Sequence, residues 1–513
     1  MKKVIAFLLV LCMVLPFTAC GPNPSTPGGP SGPSGENESD LWQDSVGTQD
    51  FGGEEVVISV LDNYEYELFG AEDSKDTLDQ LLFKRNRALQ DRFNVQLVSL
   101  PTQSTGIGDQ QSHYDDVQRA LSRNETDFDV VAMFAYQSGK LIKSGYYLDW
   151  RSDIPYCQDS IKAGADWWPK GINDDCTIFG RQYVAVSDIC ITAIEMAWSV
   201  VFNKDLVADY NIVSRIGTLT GKSYESMYDV VDSGDWTLDV MNNTLKGFFV
   251  PGATEDKDAG LYGMILQAST GVDAFAFSFG YHYIVNDGIN TPELWTPTGG
   301  TITTLETLRS FAASEGVYNT YGTGKAESDL ATLFAERHSL FSNLPLETLK
   351  SDIIHDMEDA FGILPYPKLN TQQKKYLTGT VDHYSVLSVP WTNFNTERVG
   401  AVIEAISAYN NLHVNDVYYE SIVTHKNTRD LESVRMINLI MEGRVYDLTT
   451  YHYTDLYIIN DLGKEGALGL FFRHALAFPQ EDISAFWQSG LNHLPSDFEA
   501  LIDGYETAFG TVS

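Results

Sequence analysis

Residues 54–61 read Glu-Glu-Val-Val-Ile-Ser-Val-Leu, and this run decides the fold. Val56, Val57, Ile58 and Val60 are β-branched and stiff at χ1, so the run is a first strand. Working outward, residues 76–93 place Leu78, Leu81, Leu82, Leu89 and Phe93 on one face at i, i+3, i+4 spacing, which predicts an amphipathic helix. Lys84, Arg85, Arg87 and Arg92 decorate the rest of that helix and read as a solvated face. A second strand follows over 95–100, a helix over 114–121, a buried strand over 129–134 (DVVAMF), and a short helix over 138–144 that ends at Gly145. This β-α-β-α-β-α order is the signature of a mostly parallel sheet covered by helices.

Two further strand-like stretches are predicted over 182–186 and 191–202, and then helix content rises. Helices are expected over 224–231, 236–248, 304–313, 328–337 and 345–354, with short strands over 338–342, 361–364 and 385–389. The C-terminal end is helical over 396–409, 416–424, 431–442, 451–459, 484–489 and 496–509. About 470 residues of this kind exceed one compact core and predict two lobes.

The chain begins with a different kind of segment. Lys2 and Lys3 precede an apolar run over 4–16 that is too short for a permanent membrane span, and Phe17-Thr18-Ala19-Cys20 presents small residues ahead of a cysteine. Residues 1–19 read as an export signal, and the site resembles a bacterial lipoprotein box, with Phe17 where leucine is usual. That resemblance implies that Cys20 is lipidated, with palmitate among its acyl chains, and holds the protein at the outer face of the membrane. Residues 20–50 are expected to be a Pro/Gly/Ser tether; the stretch 21–38 holds no large apolar residue and cannot bury a core.

The formal net charge is −36, which repels nucleic acid and anionic lipid surfaces and excludes a nucleic-acid-binding role. Cys157, Cys176 and Cys190 remain after the anchor, an odd number with no C-x-x-C. A Cys157–Cys176 bridge is open to an exported protein; three buried free thiols is the preferred reading. No nucleotide-binding, zinc-protease or hydrolase-elbow motif is present, and the ten histidines show no metal spacing. The expectation is therefore no enzyme, no cofactor and no metal.

Several segments together resemble a known family. Gly52-Gly53 leads into the first strand, and Phe83-Lys84-Arg85-Asn86 lies in the first helix. Asp129-Val130-Val131, Gly145-Tyr146-Tyr147-Leu148-Asp149, Ile154-Pro155-Tyr156 and Trp167-Trp168 follow. Phe202-Asn203-Lys204-Asp205-Leu206 and Gly234-Asp235-Trp236-Thr237-Leu238-Asp239 complete the series. In order, these resemble the extracellular solute-binding lipoproteins of bacterial ATP-driven (ABC) importers, family 1, the sugar-binding branch of Firmicutes. The resemblance implies an α/β, periplasmic-binding-protein-like (type II) clamshell of two lobes on a hinge, with a helix-rich C-terminal half. Lobe one would hold 51–188 and 343–412, and lobe two 189–342 and 413–513. Residues 186–193 would make the first crossing and 341–345 the second. A monomer on a lipid anchor would capture an oligosaccharide, or a peptide, and deliver it to the permease subunits in the membrane.

A sugar site needs flat aromatic faces for the C–H patches of pyranose rings and in-plane carboxylates or amides for the hydroxyls. Open α/β sheets bind ligands at strand C-termini. Three places meet both conditions: Tyr64, Glu65 and Tyr66 after the first strand, Tyr136 and Gln137 after the third, and Asp382 with Tyr384 before a late strand. Asp188 joins them at the predicted hinge. Trp236 precedes a helix and reads as a packing residue, and ordinary packing is also the preferred reading of Tyr281-His282-Tyr283 and Tyr451-His452-Tyr453. Two rivals to the receptor are a lipid-anchored glycoside hydrolase, which would need a carboxylate pair about one sugar subsite, and a surface glycan-docking lipoprotein without an importer.

Overall fold

Strand β1 (Glu54–Leu61) forms where the β-branched run predicts it, and the chain returns to it twice. Helix α1 (Thr77–Phe93) starts at Asp76, whose carboxylate accepts the Asp79 N–H, and stops at Asn94, which takes the left-handed turn at φ 47°. The turn delivers β2 (Val95–Thr102), parallel to β1 along its whole length. Helix α2 (Gln110–Arg123) leads to β3 (Val130–Phe134), parallel to β1 at Ile58 and Ser59, and α3 (Ala135–Lys143) follows directly. The computed structural model describes residues 42–104, 110–380, 383–425, 428–452, 455–459 and 465–509. The predicted signal, Cys20, most of the tether and Asp382 lie outside them.

The second sheet is built from β4 (Trp198–Asn203), β5 (Phe249–Val250) and β6 (Leu261–Leu266). A small hairpin, β7 (Ile284–Val285) and β8 (Glu293–Leu294), interrupts it before β9 (Val317–Asn319), β10 (Ser339–Pro345) and β11 (Phe361–Leu364). The strand order is β11-β4-β10-β6-β5, with β9 also paired to β6. Strand β12 (Ser385–Ser388) then returns to the first sheet, antiparallel to β3, giving the order β12-β3-β1-β2. The described residues, from Trp42 onward, form one compact unit. Among the described residues no helix is long and apolar enough to cross a membrane.

Several expectations change. The tether ends earlier than residue 50: Arg92 pairs with Asp44 at 2.6 Å and lies over the Trp42 ring, Trp42 packs on Tyr409, and Val46 is buried. Arg85 is wholly buried, because Asn410 and Asn86 side chains and the Leu68 carbonyl accept its donors. Residues 192–195 are a helical turn and not strand. Residues 341–345 lie within β10, in the body of the second sheet, so they are not a crossing. The second crossing runs between β11 and β12, and β11 itself pairs with β4, not with the first sheet. The predicted helix over 345–354 breaks at Ser351, and 451–459 holds a short strand, Tyr457–Ile459, in place of a helix. The C-terminal segment is shared between the lobes. Leu494–Phe509 packs on α3 of the first, with Tyr183 and Phe509 stacked at 3.8 Å, whereas Phe471–Ala477 packs on the helices Thr270–Ser278 and Gly299–Ala312 of the second. Cys157, Cys176 and Cys190 are buried free thiols.

Candidate functional site

Because β1 and β3 are parallel, their C-terminal ends open at one edge of the first sheet. Because β12 is antiparallel to β3, its N-terminal end arrives at the same edge. Three loops therefore converge there, each carrying rings. Tyr64 meets Phe134 edge-on at 4.6 Å, and Phe134 stacks against Tyr136 at 6.3 Å. His383 lies 5.2 Å from Tyr136 and 5.7 Å from Phe134, and Tyr66 lies 6.2 Å from Tyr64. Tyr64 is half-buried and Tyr66 is 38% exposed, so ring surface remains for a ligand.

Beneath the rings the hinge is held by two buried carboxylates. Asp62–Glu67 is a 3-10 turn, and it turns Glu67 inward, away from Tyr66. Glu67 accepts the Thr192 N–H at 2.9 Å, the Thr192 hydroxyl at 2.8 Å and the Ser385 hydroxyl at 2.6 Å. It thereby ties the β1 loop to the first crossing and to β12. Glu195 accepts the hydroxyls of Tyr66 and of Tyr418, the latter at 2.8 Å, and Lys350 Nζ lies 3.4 Å away. Lys350 follows β10, so the second sheet reaches this network directly.

The charges reinforce one another. Burial pushes the Glu67 carboxyl up to about 7, against the hydrogen bonds from Ser385 and Thr192. Burial raises Tyr64 to about 12, with the charge of Glu347 the next cause. Burial of its hydroxyl and the charge of Glu195 hold Tyr66 well above the usual phenol range. Glu347 itself is raised by burial and by Glu195, with Lys350 opposing. Glu347 sits on the turn after β10, and its charge acts on Tyr64 of the first sheet. Exposed ring surface with a hydrogen-bonding acid near it can bind a flat polyhydroxylated molecule.

The predicted residues divide. Tyr64, Tyr66 and Tyr136 gather at the edge. Glu65 is in the same turn, where its carbonyl accepts the Leu68 and Phe69 N–H groups. Gln137 begins α3 and is 6% exposed, with its Oε1 unpartnered among the described residues. Tyr384 points the other way. It is fully buried, its hydroxyl 3.1 Å from that of Tyr451 and its ring against Tyr446. Successive residues of an extended segment face opposite sides, so its neighbour His383 takes the edge position. Asp188 is 5% exposed, bound by Asn411 at 2.7 Å, and lines a different cavity. Sequence reasoning missed Phe134, His383, Glu67, Glu195 and Glu347. The first two lie within or beside segments it had chosen; the acids are brought in by hinge contacts that no local pattern signals.

No family model matches the chain, and no curated protein matches it. Solved structures do. The fold is similar to a sugar transporter of Rhizobium etli in an open conformation, 13% identical over 87% of this chain and 99% of that one, TM-score 0.55. It is similar to the galacto-N-biose/lacto-N-biose I-binding protein of a Bifidobacterium longum ABC transporter, solved with lacto-N-biose, at 10% identity over 88% and 99% with TM-score 0.52. The apo form of RafE from Streptococcus pneumoniae matches at 11% identity over 88% and 98%, TM-score 0.50. These likenesses establish the fold class: a periplasmic-binding-protein-like clamshell of two α/β lobes.

Proposed function

We propose that the protein is the extracellular receptor of an ABC importer, which captures an oligosaccharide between its lobes and hands it to membrane permease subunits. The observation that carries this reading is the ring cluster of Tyr64, Tyr66, Tyr136 and His383 at the strand ends of the first sheet, with exposed ring surface. The structural relatives named for sugar transport and sugar binding support the same reading. A ligand touching both sides favours the closed form over the open one by its extra contacts. The chain acts by binding and not by making or breaking a bond; a separate ATPase supplies the work. In this reading Cys20 carries the lipid anchor, the protein is a monomer at the outer face of the membrane, and residues 21–41 are the leash. Lobe one comprises the chain to about 188, β12 and its following helix, and the C-terminal helix; lobe two comprises the second sheet and its helices.

A thermal-shift screen of neutral oligosaccharides against the wild type, Tyr64→Ala and Tyr136→Ala tests it. A ligand that binds only the folded form raises the melting temperature. At least one sugar should stabilise the wild type and lose most of that effect in both variants. A panel that stabilises nothing, or stabilises all three proteins equally, contradicts the reading.

A further inference from the structure

A cavity of about 740 Å³ lies at the hinge, and none of Tyr64, Tyr66, Tyr136 or His383 lines it. Its wall draws on well-separated segments of the chain: Asp188, Leu377, Asn415 and Arg444, with Lys170, Lys375 and His282 at its margin. Asp175 and Tyr446 complete it. The cavity is distinct from the aromatic edge yet shares a structural element with it. In the turn Thr192–Glu195, Glu195 meets Tyr66, while the Ala193 carbonyl accepts from Arg444 at 3.1 Å.

The wall holds an acceptor that the protein leaves unsatisfied. Asn415 is 7% exposed, and its Oδ1 has no hydrogen-bond partner among the described residues. The Asp188 carboxylate accepts from Asn411 at 2.7 Å and from the Asn415 side chain, and the Asp175 carboxylate accepts the Tyr446 N–H at 3.2 Å. Arg444 attracts Asp188 but gives hydrogen bonds to the Met441 and Ala193 carbonyls. Burial leaves Asp175 raised to about 8 and Asp188 above the ordinary carboxylate range. Asp175, which has no cationic partner among the described residues, beside an orphaned amide oxygen is stabilised by an occupant that carries N–H donors and positive charge.

We propose that this cavity is a second ligand site, which takes a small organic cation of the aliphatic diamine class through Asn415, Asp175 and Asp188. The occupant's ammonium groups donate to the Asn415 Oδ1 and to the two carboxylates, and its methylenes lie along Leu377. The site is independent of what fills the aromatic edge.

Titration calorimetry with 1,4-diaminobutane on the full chain tests it, in the wild type, Asn415→Leu and Asp175→Asn. The wild type should bind one equivalent saturably. Asn415→Leu keeps the net charge and should weaken binding at least tenfold, as should Asp175→Asn. A chain of net charge −36 attracts any diamine diffusely. Absence of a saturable single site, or binding unchanged in the variants, therefore overturns the proposal. If Asn415→Leu does not fold by circular dichroism, Asp175→Asn decides alone.

Discussion

The aromatic edge and the hinge beneath it lie within a few residues of each other and are built on opposite plans. At the edge, Tyr64 and Tyr66 keep exposed ring surface. In the hinge, the oxygens of Glu67 and Glu195 are taken by donors from the β1 loop, the first crossing, β12, the turn after β10 and the helix Asn415–Val423. Unfilled surface is what a ligand can use, and filled surface is what fixes the geometry in which it is offered. The difference teaches that mutations one or two residues apart in Asp62–Glu67 should separate into binding effects and folding effects.

The largest effect should come from Glu67→Ala. It leaves the Thr192 N–H, the Thr192 hydroxyl and the Ser385 hydroxyl without their acceptor, which costs about 3 kcal/mol of stability in urea unfolding. A loss near zero would show that the hinge does not depend on this carboxylate. The next effect is in pH. A carboxyl whose folded pKa is raised to about 7, from an ordinary 4.5, contributes stability that is complete below the lower value. That contribution is lost as pH climbs through the higher one. The wild type should therefore lose stability relative to Glu67→Gln between about pH 5 and about pH 8, read from paired urea midpoints. Parallel profiles would place the proton elsewhere.

Tyr64→Ala should leave the melting temperature within a degree or so while weakening solute binding roughly tenfold, about 1.4 kcal/mol. Equal damage to fold and binding would erase the distinction between edge and hinge. The smallest effect belongs to Lys350→Gln. Its contact with Glu195 at 3.4 Å is long, so a loss of about 0.5 kcal/mol is expected in the same unfolding measurement.

Much of the first sheet is legible in the sequence, because its signals are local. The β-branched run at Val56–Val60 and the apolar face of α1 state their own structure. Since ligands gather at strand C-termini, strand order alone singles out Tyr64, Tyr66 and Tyr136 as candidates. The misreadings arise where a distant partner decides. Residues 191–194 (Ile-Thr-Ala-Ile) look like strand, but Glu67 binds both the N–H and the hydroxyl of Thr192 and holds a turn there. Arg85 looks like surface until Asn410, far along the chain, arrives to accept from it at 2.7 Å. Tyr384 differs from His383 by one step of the pleat, which sequence cannot phase without the register of β12 on β3. Glu347 comes to the edge only because β10 lies beside β4, and the chain crosses between the lobes on either side of that pairing.

The central claim is that one solute is gripped from both sheets at once. The direct measurement is calorimetric affinity for a single stabilising oligosaccharide in Tyr64→Ala and in Glu347→Gln, each checked for an unchanged melt. Severalfold weaker binding in both is the predicted result. Full affinity in Glu347→Gln beside a loss in Tyr64→Ala would contradict it, because the solute would then rest on one lobe alone.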